Sequence, residues 1–333
     1  MIKYGFWKQL KKPIFALAPM ANVTDAAFRR MIATYGKPDV MWTEFVSCDG
    51  LCSPGKNTLL HDLQYDESER PIVAQVFGAT PDHFYQTALL LQELGFDGID
   101  INMGCPDKNI QKQNAGAKLI QDPELAKRII AETKRGAGSV PVSVKTRIGY
   151  TNNTIDEWLP HILEMEPAAI TIHGRTKKEM SDVPAHWDVI AHGVELAERY
   201  YGKKNRPIML GNGDVRTLNE ALQRVNEYGV DGVMVGRGMF GNPWFFADKD
   251  ALRSGKQSGS HEILLSEKLR VMVKHTELFE TLFDGIKQFD VMKKHYKAYV
   301  HGFEGARELR IKLMAAHTAE DVRRTLLKEG YLS

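Results

Sequence analysis

The chain has 333 residues, 43% of them hydrophobic and 26% charged, and a net charge of +2. It is long enough to bury a full core, as one large domain plus a small one, and has no apolar run that would cross a membrane. The even charge confines any nucleic-acid site to a local patch. Three cysteines, Cys48, Cys52 and Cys105, are too few for a disulfide framework and fit a reducing compartment. The Cys48-x3-Cys52 spacing has no second Cys/His pair beside it, so no zinc site is expected. The basic segment from Met1 to Lys12 lacks the apolar stretch and cleavage site of a signal peptide, so the expected location is the cytoplasm.

In chain order, short apolar β-branched runs recur at Ile14–Met20, Val40–Val46, Ile72–Phe77, Gly98–Asn102, Val142–Arg147, Ala168–His173, Pro207–Gly211 and Gly232–Gly236. Amphipathic segments lie between them. Thr80-Pro81 opens one that should stop at Gly95, Asp122-Pro123 one that should stop at Gly136, and Thr217 caps one that should stop at Gly229. A capping residue, proline in the first turn and glycine past the end are start and stop signals with a mechanism. Eight strands alternating with helices over about 240 residues predict an α/β fold, a (β/α)8 TIM barrel. The rival, a doubly wound open sheet, wants a Gly-rich turn after its first strand; this one ends Ala18-Pro-Met-Ala21.

The rhythm ceases at a Gly/Ser-rich linker, Leu252 to Ser260. Beyond it, Leu264, Leu265, Leu269, Met272 and Val273, then Leu309, Leu313 and Met314, fall at helical spacing. The expected division is residues 1–250, a catalytic barrel, and 251–333, an all-helical domain. The helical part carries an excess of bases, clustered at Lys293-Lys-His-Tyr-Lys297 and Arg307-Glu-Leu-Arg310. Such charges usually mark a solvated helix face. Tyr296 and Tyr299 among them offer stacking surfaces for RNA.

In a barrel, reactive groups stand at the C-terminal ends of the strands. There the sequence puts Pro19, Met20 and Ala21, then Gln75, then Asn102 and Cys105, then Lys145 and Arg147, then His173 and Arg175. The last two strands end Gly211-Asn-Gly-Asp214 and Gly236-Arg-Gly238. Both expose backbone amides suited to a phosphate, with Arg237 as a fork-shaped charge partner. Lys145, on an apolar strand, could stabilise negative charge on a bound ring. Cys105 sits where a strand gives way to a loop. Most isolated cysteines are small core hydrophobes, and only the surrounding strand ends make this one a site candidate. No metal constellation, nucleophile elbow or phosphate-loop lysine is present. A phosphate-tailed cofactor assisted by one thiol is the economical reading.

These motifs resemble the tRNA-dihydrouridine synthases: Ala18-Pro-Met-Ala-x-Val-Thr-Asp25, Asn102-x-Gly-Cys-Pro106, Gly116-Ala117, Lys145-Thr-Arg147, His173-Gly-Arg-Thr176, Gly211-Asn-Gly-Asp214 and Gly236-Arg-Gly-x-x-Gly-Asn-Pro-Trp244. Gly302-Phe-x-Gly-Ala-Arg-Glu-Leu-Arg310 carries the likeness into the helical part. The resemblance implies an FMN-containing TIM barrel with a helical RNA-binding domain, reducing the C5–C6 bond of particular uridines in tRNA with NADPH. By position, Pro19, Met20, Ala21, Gln75, Lys145 and His173 would hold the flavin ring and ribityl chain. Asn212, Gly213, Asp214, Gly236 and Arg237 would hold its phosphate. Hydride would reach C6 from the flavin while Cys105 protonates C5, a role that wants a protonated, high-pKa thiol rather than a depressed one. The target uridine must leave its stack to reach such a site, and Asn102 and Arg175 are candidates to touch it or its phosphate. Asn22 and Glu166 depart from the family pattern, where glycine is common. The family often works as a monomer on one tRNA. The alternatives are a dihydroorotate- or dihydropyrimidine-type flavin dehydrogenase on free bases, dihydrouridylation of ribosomal RNA, and an RNA-binding protein on an inactive barrel.

Overall fold

A computed structural model describes residues 1–256 and 263–332. Its eight strands are β1 (Ile14–Leu17), β2 (Met41–Ser47), β3 (Ile72–Phe77), β4 (Gly98–Met103), β5 (Val142–Arg147), β6 (Ala169–His173), β7 (Ile208–Asn212) and β8 (Gly232–Val235). They form one parallel sheet in the order β1-β8-β7-β6-β5-β4-β3-β2. The ring closes through an Ala16–Val40 bridge, with Leu17 N–H donating to Val40 O at 3.1 Å. Six helices cover the sheet: α1 (Ala26–Tyr35), α2 (Pro81–Glu93), α3 (Pro123–Ala137), α4 (Ile155–Leu163), α5 (Trp187–Tyr201) and α6 (Leu218–Tyr228). This is the predicted (β/α)8 barrel.

Strand alternation sorts the residues. Phe15 and Leu17 face the helix layer, whereas Ile14 and Ala16 join Trp42, Val73, Leu210 and Met234 in a core that Trp7 closes from the N-terminal side. Further toward the C-terminal ends the same inward positions turn polar, giving Gln75, Asp100, Ser143 and Asn102, all buried. A dry floor under a polar mouth follows directly from a period of two.

The helix signals act largely as read. Thr217 Oγ1 accepts from Glu220 N–H, and Gly229 ends α6 at φ 68°. Gly136 does not end α3; Gly138 follows the helix at φ 59°. A Cβ at Gly136 would lie 2.3 Å from Tyr85 O, so this glycine lets α3 press against α2. Asn22 and Glu166 stand at φ 53° and 51°, the left-handed region that favours glycine. Glu166 also pairs with the N-terminal ammonium at 2.6 Å.

Helices α7 (Leu265–Phe283), α8 (Lys293–Tyr299), α9 (Ala306–Met314) and α10 (Ala319–Lys328) follow. Their shared core takes in Ala26, Ala27 and Met31 of α1, so the helical region is docked on the barrel's first helix. Leu264 is 67% exposed, just ahead of α7, and is not part of that core. Leu252 and Arg253, expected in the linker, instead end a short helix, Lys249–Arg253. Arg253 returns to Pro13 O at 2.8 Å and pairs with Asp39. Residues 257–260 of the expected linker lie outside the described residues. Tyr296 and Tyr299 are fully buried, with Tyr296 Oη 3.3 Å from Thr276 Oγ1. They are core residues rather than stacking surfaces, because the small α8 helix has to bury one whole face to dock. The neighbouring bases are partly engaged: Lys293 pairs with Asp290 at 2.6 Å and Lys294 donates to Asn22 O at 2.7 Å. No described helix is long and apolar enough to cross a membrane.

Candidate active site

The strand ends surround a cavity of about 540 Å³. Ala18, Pro19 and Met20 line it after β1, Gln75 and Asn102 beneath, and Cys105 and Lys145 on one wall. His173, Arg175, Asn212, Gly213, Asp214, Gly236 and Arg237 complete the opposite side. Of the residues read from sequence, only Ala21 falls outside; it is exposed on the turn before α1. Among the described residues no group of three or more His, Cys, Asp or Glu could hold a metal ion.

Cys105 is held by a chain of hydrogen bonds. Asn102 Oδ1 accepts from Cys105 N–H at 2.9 Å and from Gly104 N–H at 3.1 Å. Asn102 Nδ2 donates to Gln75 Oε1 at 2.9 Å, and Gln75 Nε2 donates to Asp100 Oδ2 at 2.6 Å. Ser143 Oγ caps the other Asp100 oxygen at 2.5 Å. Arg147 Nε donates to Gly104 O at 2.7 Å, and Gln111 Nε2 to Cys105 O at 2.7 Å. Gly116, at φ 63°, lets the chain pass so close that a Cβ would lie 2.8 Å from Cys105 O. The thiol's surroundings are thus over-determined by bonds it does not itself make. Asn102, expected to touch the base or its phosphate, lines the cavity with its oxygen committed to the loop amides and one amide hydrogen to Gln75, an arrangement that positions Cys105.

The cavity is cationic. Lys145, Arg147, Arg175, Arg216 and Arg237 line it against one carboxylate, Asp214. Burial, and then Arg147, pull the Lys145 ammonium down to about 8. Burial and four neighbouring cations, Arg147 first, hold His173 well below its ordinary value, hence neutral. Burial pushes the Cys105 thiol up, and nearby Lys145 and Arg147 only partly offset that. Burial raises Asp100 to about 6 against its hydrogen bonds. Asp214 is below its usual value despite burial, because Arg175 and the Ala185 N–H bond its carboxylate. Arg175 is also spent on Val183 O at 2.6 Å, and Arg237 lies 3.7 Å from the other Asp214 oxygen. Arg175 therefore braces the loop after β7 through Nε and Nη2, while its side chain still lines the cavity.

The glycines at the ends of β7 and β8 divide by cause. A Cβ at Gly211 would lie 2.3 Å from the Trp187 ring, one at Gly213 2.6 Å from Ala185 Cβ, and one at Gly238 2.2 Å from Val215 O. The fold itself demands these three. At Gly236 the nearest atom would be Met20 Sδ at 3.4 Å, an ordinary contact. No neighbouring atom excludes a Cβ at that glycine, and a side chain there would enter the cavity.

Phe45, Val215, Arg216, Met234 and Val235 also line the cavity without having been singled out in sequence, and two of them bring new chemistry. Phe45 is the one Phe, Tyr or Trp among the described lining residues. Its strand carries a register shift between Trp42 and Phe45, opposite Val73 and Gln75. That bulge turns Phe45 inward where plain alternation would turn it out. Arg216 belongs to the loop after β7, and no pattern marks it.

Comparison with known proteins matches residues 16–331 to the dihydrouridine synthase (Dus) family model. A probable tRNA-dihydrouridine synthase of Staphylococcus aureus (strain COL) is 39% identical over 330 residues, 98% of this chain and 95% of that protein. A probable tRNA-dihydrouridine synthase 2 of Bacillus subtilis (strain 168) is 39% identical over 325 residues, 97% of this chain and 95% of its own length. Among solved structures, histamine dehydrogenase from Rhizobium sp. 4-9 superposes with a TM-score of 0.52 at 11% identity, over 79% of this chain and 48% of that one, a likeness of fold alone. With a family match across nearly the whole length and relatives at this identity, the chain belongs to the dihydrouridine synthase family and is an oxidoreductase built on a (β/α)8 barrel.

Proposed function

We propose that the protein reduces the C5–C6 bond of particular uridines in tRNA to 5,6-dihydrouridine, with FMN in the cavity and NADPH as reductant. The observation that carries this reading is the held, high-pKa Cys105 on the wall of a cationic cavity. The residues present fit a flavin mononucleotide. The open space at Gly236, beside Arg237, suits its phosphate end, together with Asn212, Gly213 and Asp214. Pro19, Met20, Gln75, Lys145 and neutral His173 would hold the ring and ribityl chain; Ala21, outside the cavity, has no part in it. Bound there, FMN supplies the hydride that reduces C6.

The chain's own residues manage the proton. A thiol whose pKa is raised stays protonated at neutral pH, so Cys105 Sγ–H can give its proton to C5 as a general acid. The thiolate left behind faces Lys145 and Arg147, whose charges favour it, and solvent restores the proton. Residues 1–250 would carry this chemistry, with 251–333 gripping RNA. The family match runs into that helical region as far as residue 331, and an enzyme of free bases has no use for it.

The test is direct. Purified protein should show a flavin spectrum, oxidise NADPH, and leave dihydrouridine in tRNA, mapped by nucleoside mass spectrometry. Cys105→Ala should keep the flavin spectrum and lose dihydrouridine formation. Unchanged turnover in that variant would remove Cys105 from the mechanism.

A further inference from the structure

A second cavity, of about 460 Å³, adjoins the first and shares Pro106 with it. Loops after β4, β5 and β6 build it, with Lys108, Tyr150, Lys177, Lys178 and Met180 on its walls. It is a built groove rather than a gap between loops. Lys177 N–H donates to Gly149 O and Lys178 N–H to Tyr150 O, both at 2.9 Å, stitching the β6 loop onto the β5 loop. The Tyr150 ring is flanked by two ammonium groups, Lys177 Nζ at 5.1 Å and Lys118 Nζ at 5.4 Å from its centroid. Among the described residues none of Lys108, Lys177 and Lys178 has an acidic partner. The one carboxylate on the walls, Asp107, is engaged with the Asn109 and Ile110 N–H groups.

An aromatic face set among unpaired cations matches one chemistry, a nucleotide with its base on the ring and its phosphates on the lysines. From this groove we infer a second RNA-binding site, for the backbone and one base next to the target uridine; this rests on the RNA reading above. Its place in the barrel favours RNA over the reductant dinucleotide. The helical region is docked on α1, between β1 and β2. The groove surrounds the end of β5, four strands away and so across the mouth in an eight-stranded ring. A strand whose target base drops into the cavity is then gripped on both flanks. Neither a cradle of glycine amides nor an arginine fork, the usual seat of a dinucleotide pyrophosphate, lines this groove.

The experiment uses the full-length, flavin-loaded protein and an unmodified tRNA transcript, with binding followed by fluorescence anisotropy across a salt series. Lys177→Ala/Lys178→Ala should weaken binding about tenfold at low salt and flatten the log Kd–log salt slope by about two. Tyr150→Ala should weaken binding roughly tenfold with the slope kept, and Tyr150→Phe should restore it. If wild type forms dihydrouridine yet these variants keep wild-type Kd and slope, the groove assignment falls and the RNA reading stands. A raised KM for NADPH, measured without RNA, overturns the assignment by giving the groove to the dinucleotide. A wild type that binds no RNA and makes no dihydrouridine defeats the underlying reading as well. Exposed Lys178 and half-exposed Lys177 and Tyr150 leave folding intact, which equal melting temperatures would verify.

Discussion

Asp100→Asn should separate stability from turnover. Ionised Asp100 is a pure acceptor, and it sets the direction of every hydrogen bond up to Cys105: Gln75 Nε2 must face it, so Gln75 Oε1 must face Asn102 Nδ2, so Asn102 Oδ1 must face the Cys105 and Gly104 N–H groups. Asparagine brings a second donor to the base of this relay. With its Oδ1 toward Gln75 Nε2, the new NH2 must face Ser143 Oγ, which accepts only by giving up its own donation; with the amide turned round, Gln75 Nε2 loses its acceptor, or the amides flip and Asn102 presents its NH2 to the loop amides. One unsatisfied buried donor costs about 1–3 kcal/mol. Against this, the rise of Asp100 to about 6 means that its buried charge opposes folding by roughly 3 kcal/mol at neutral pH. The two effects oppose each other and leave about 0–2 kcal/mol, so at pH 8 the melting temperature should shift by no more than about 3 °C, since roughly 3 kcal/mol corresponds to only about 4 °C at this chain length. Turnover should fall about ten- to a hundredfold, because the loop that aims the thiol has lost its lock. The sign with pH follows from a folded-state pKa above the unfolded one in an acid. Wild type gains stability as pH falls from about 7 through 6 toward 4, and the variant lacks that gain. Calorimetry at pH 8 and 5 with single-turnover dihydrouridine formation checks both halves. Full turnover, or a melting temperature several degrees low at pH 8, would refute the relay.

Gly236→Ala should fold like wild type and bind FMN at least tenfold more weakly by flavin fluorescence. Gly213→Ala, at φ 135° with a Cβ 2.6 Å from Ala185, should lose about 3 kcal/mol of stability before any cofactor is added. Arg29, fully buried against Glu69 at 2.5 Å, should cost about 3–5 kcal/mol when replaced by alanine, read as a fall in melting temperature. Lys287→Ala strips Glu44 and Asp62 of a cation at 2.6 and 2.7 Å between the helical region and the barrel, and should cost roughly 3 kcal/mol, with earlier proteolysis of the C-terminal helices. Alkylation of Cys105 should be slow at neutral pH and accelerate only above the ordinary thiol range, because burial raises its pKa; fast labelling at pH 7 would contradict the proton-donor role.

Local chemistry settled much of this molecule from sequence alone. Eight apolar runs with capped helices between them specify the barrel, since hydrophobic period and end signals are properties of a few adjacent residues. The strand-end rule then gathers Cys105, Lys145, His173 and the β7 and β8 motifs, because a closed parallel ring leaves only one rim for polar groups. What adjacency does not encode, only the tertiary structure decided. Gly136 and Gly138 look alike in sequence, and the approach of α2 tells them apart. Three of the four glycines at the ends of β7 and β8 serve packing, and only at Gly236 does the fold leave room for a Cβ. A one-residue bulge brings Phe45 inside, docking on α1 buries Tyr296 and Tyr299, and a directional hydrogen-bond relay makes Asn102 a support for Cys105. Each depends on what a side chain meets across the fold, a quantity set by distance in space rather than along the chain.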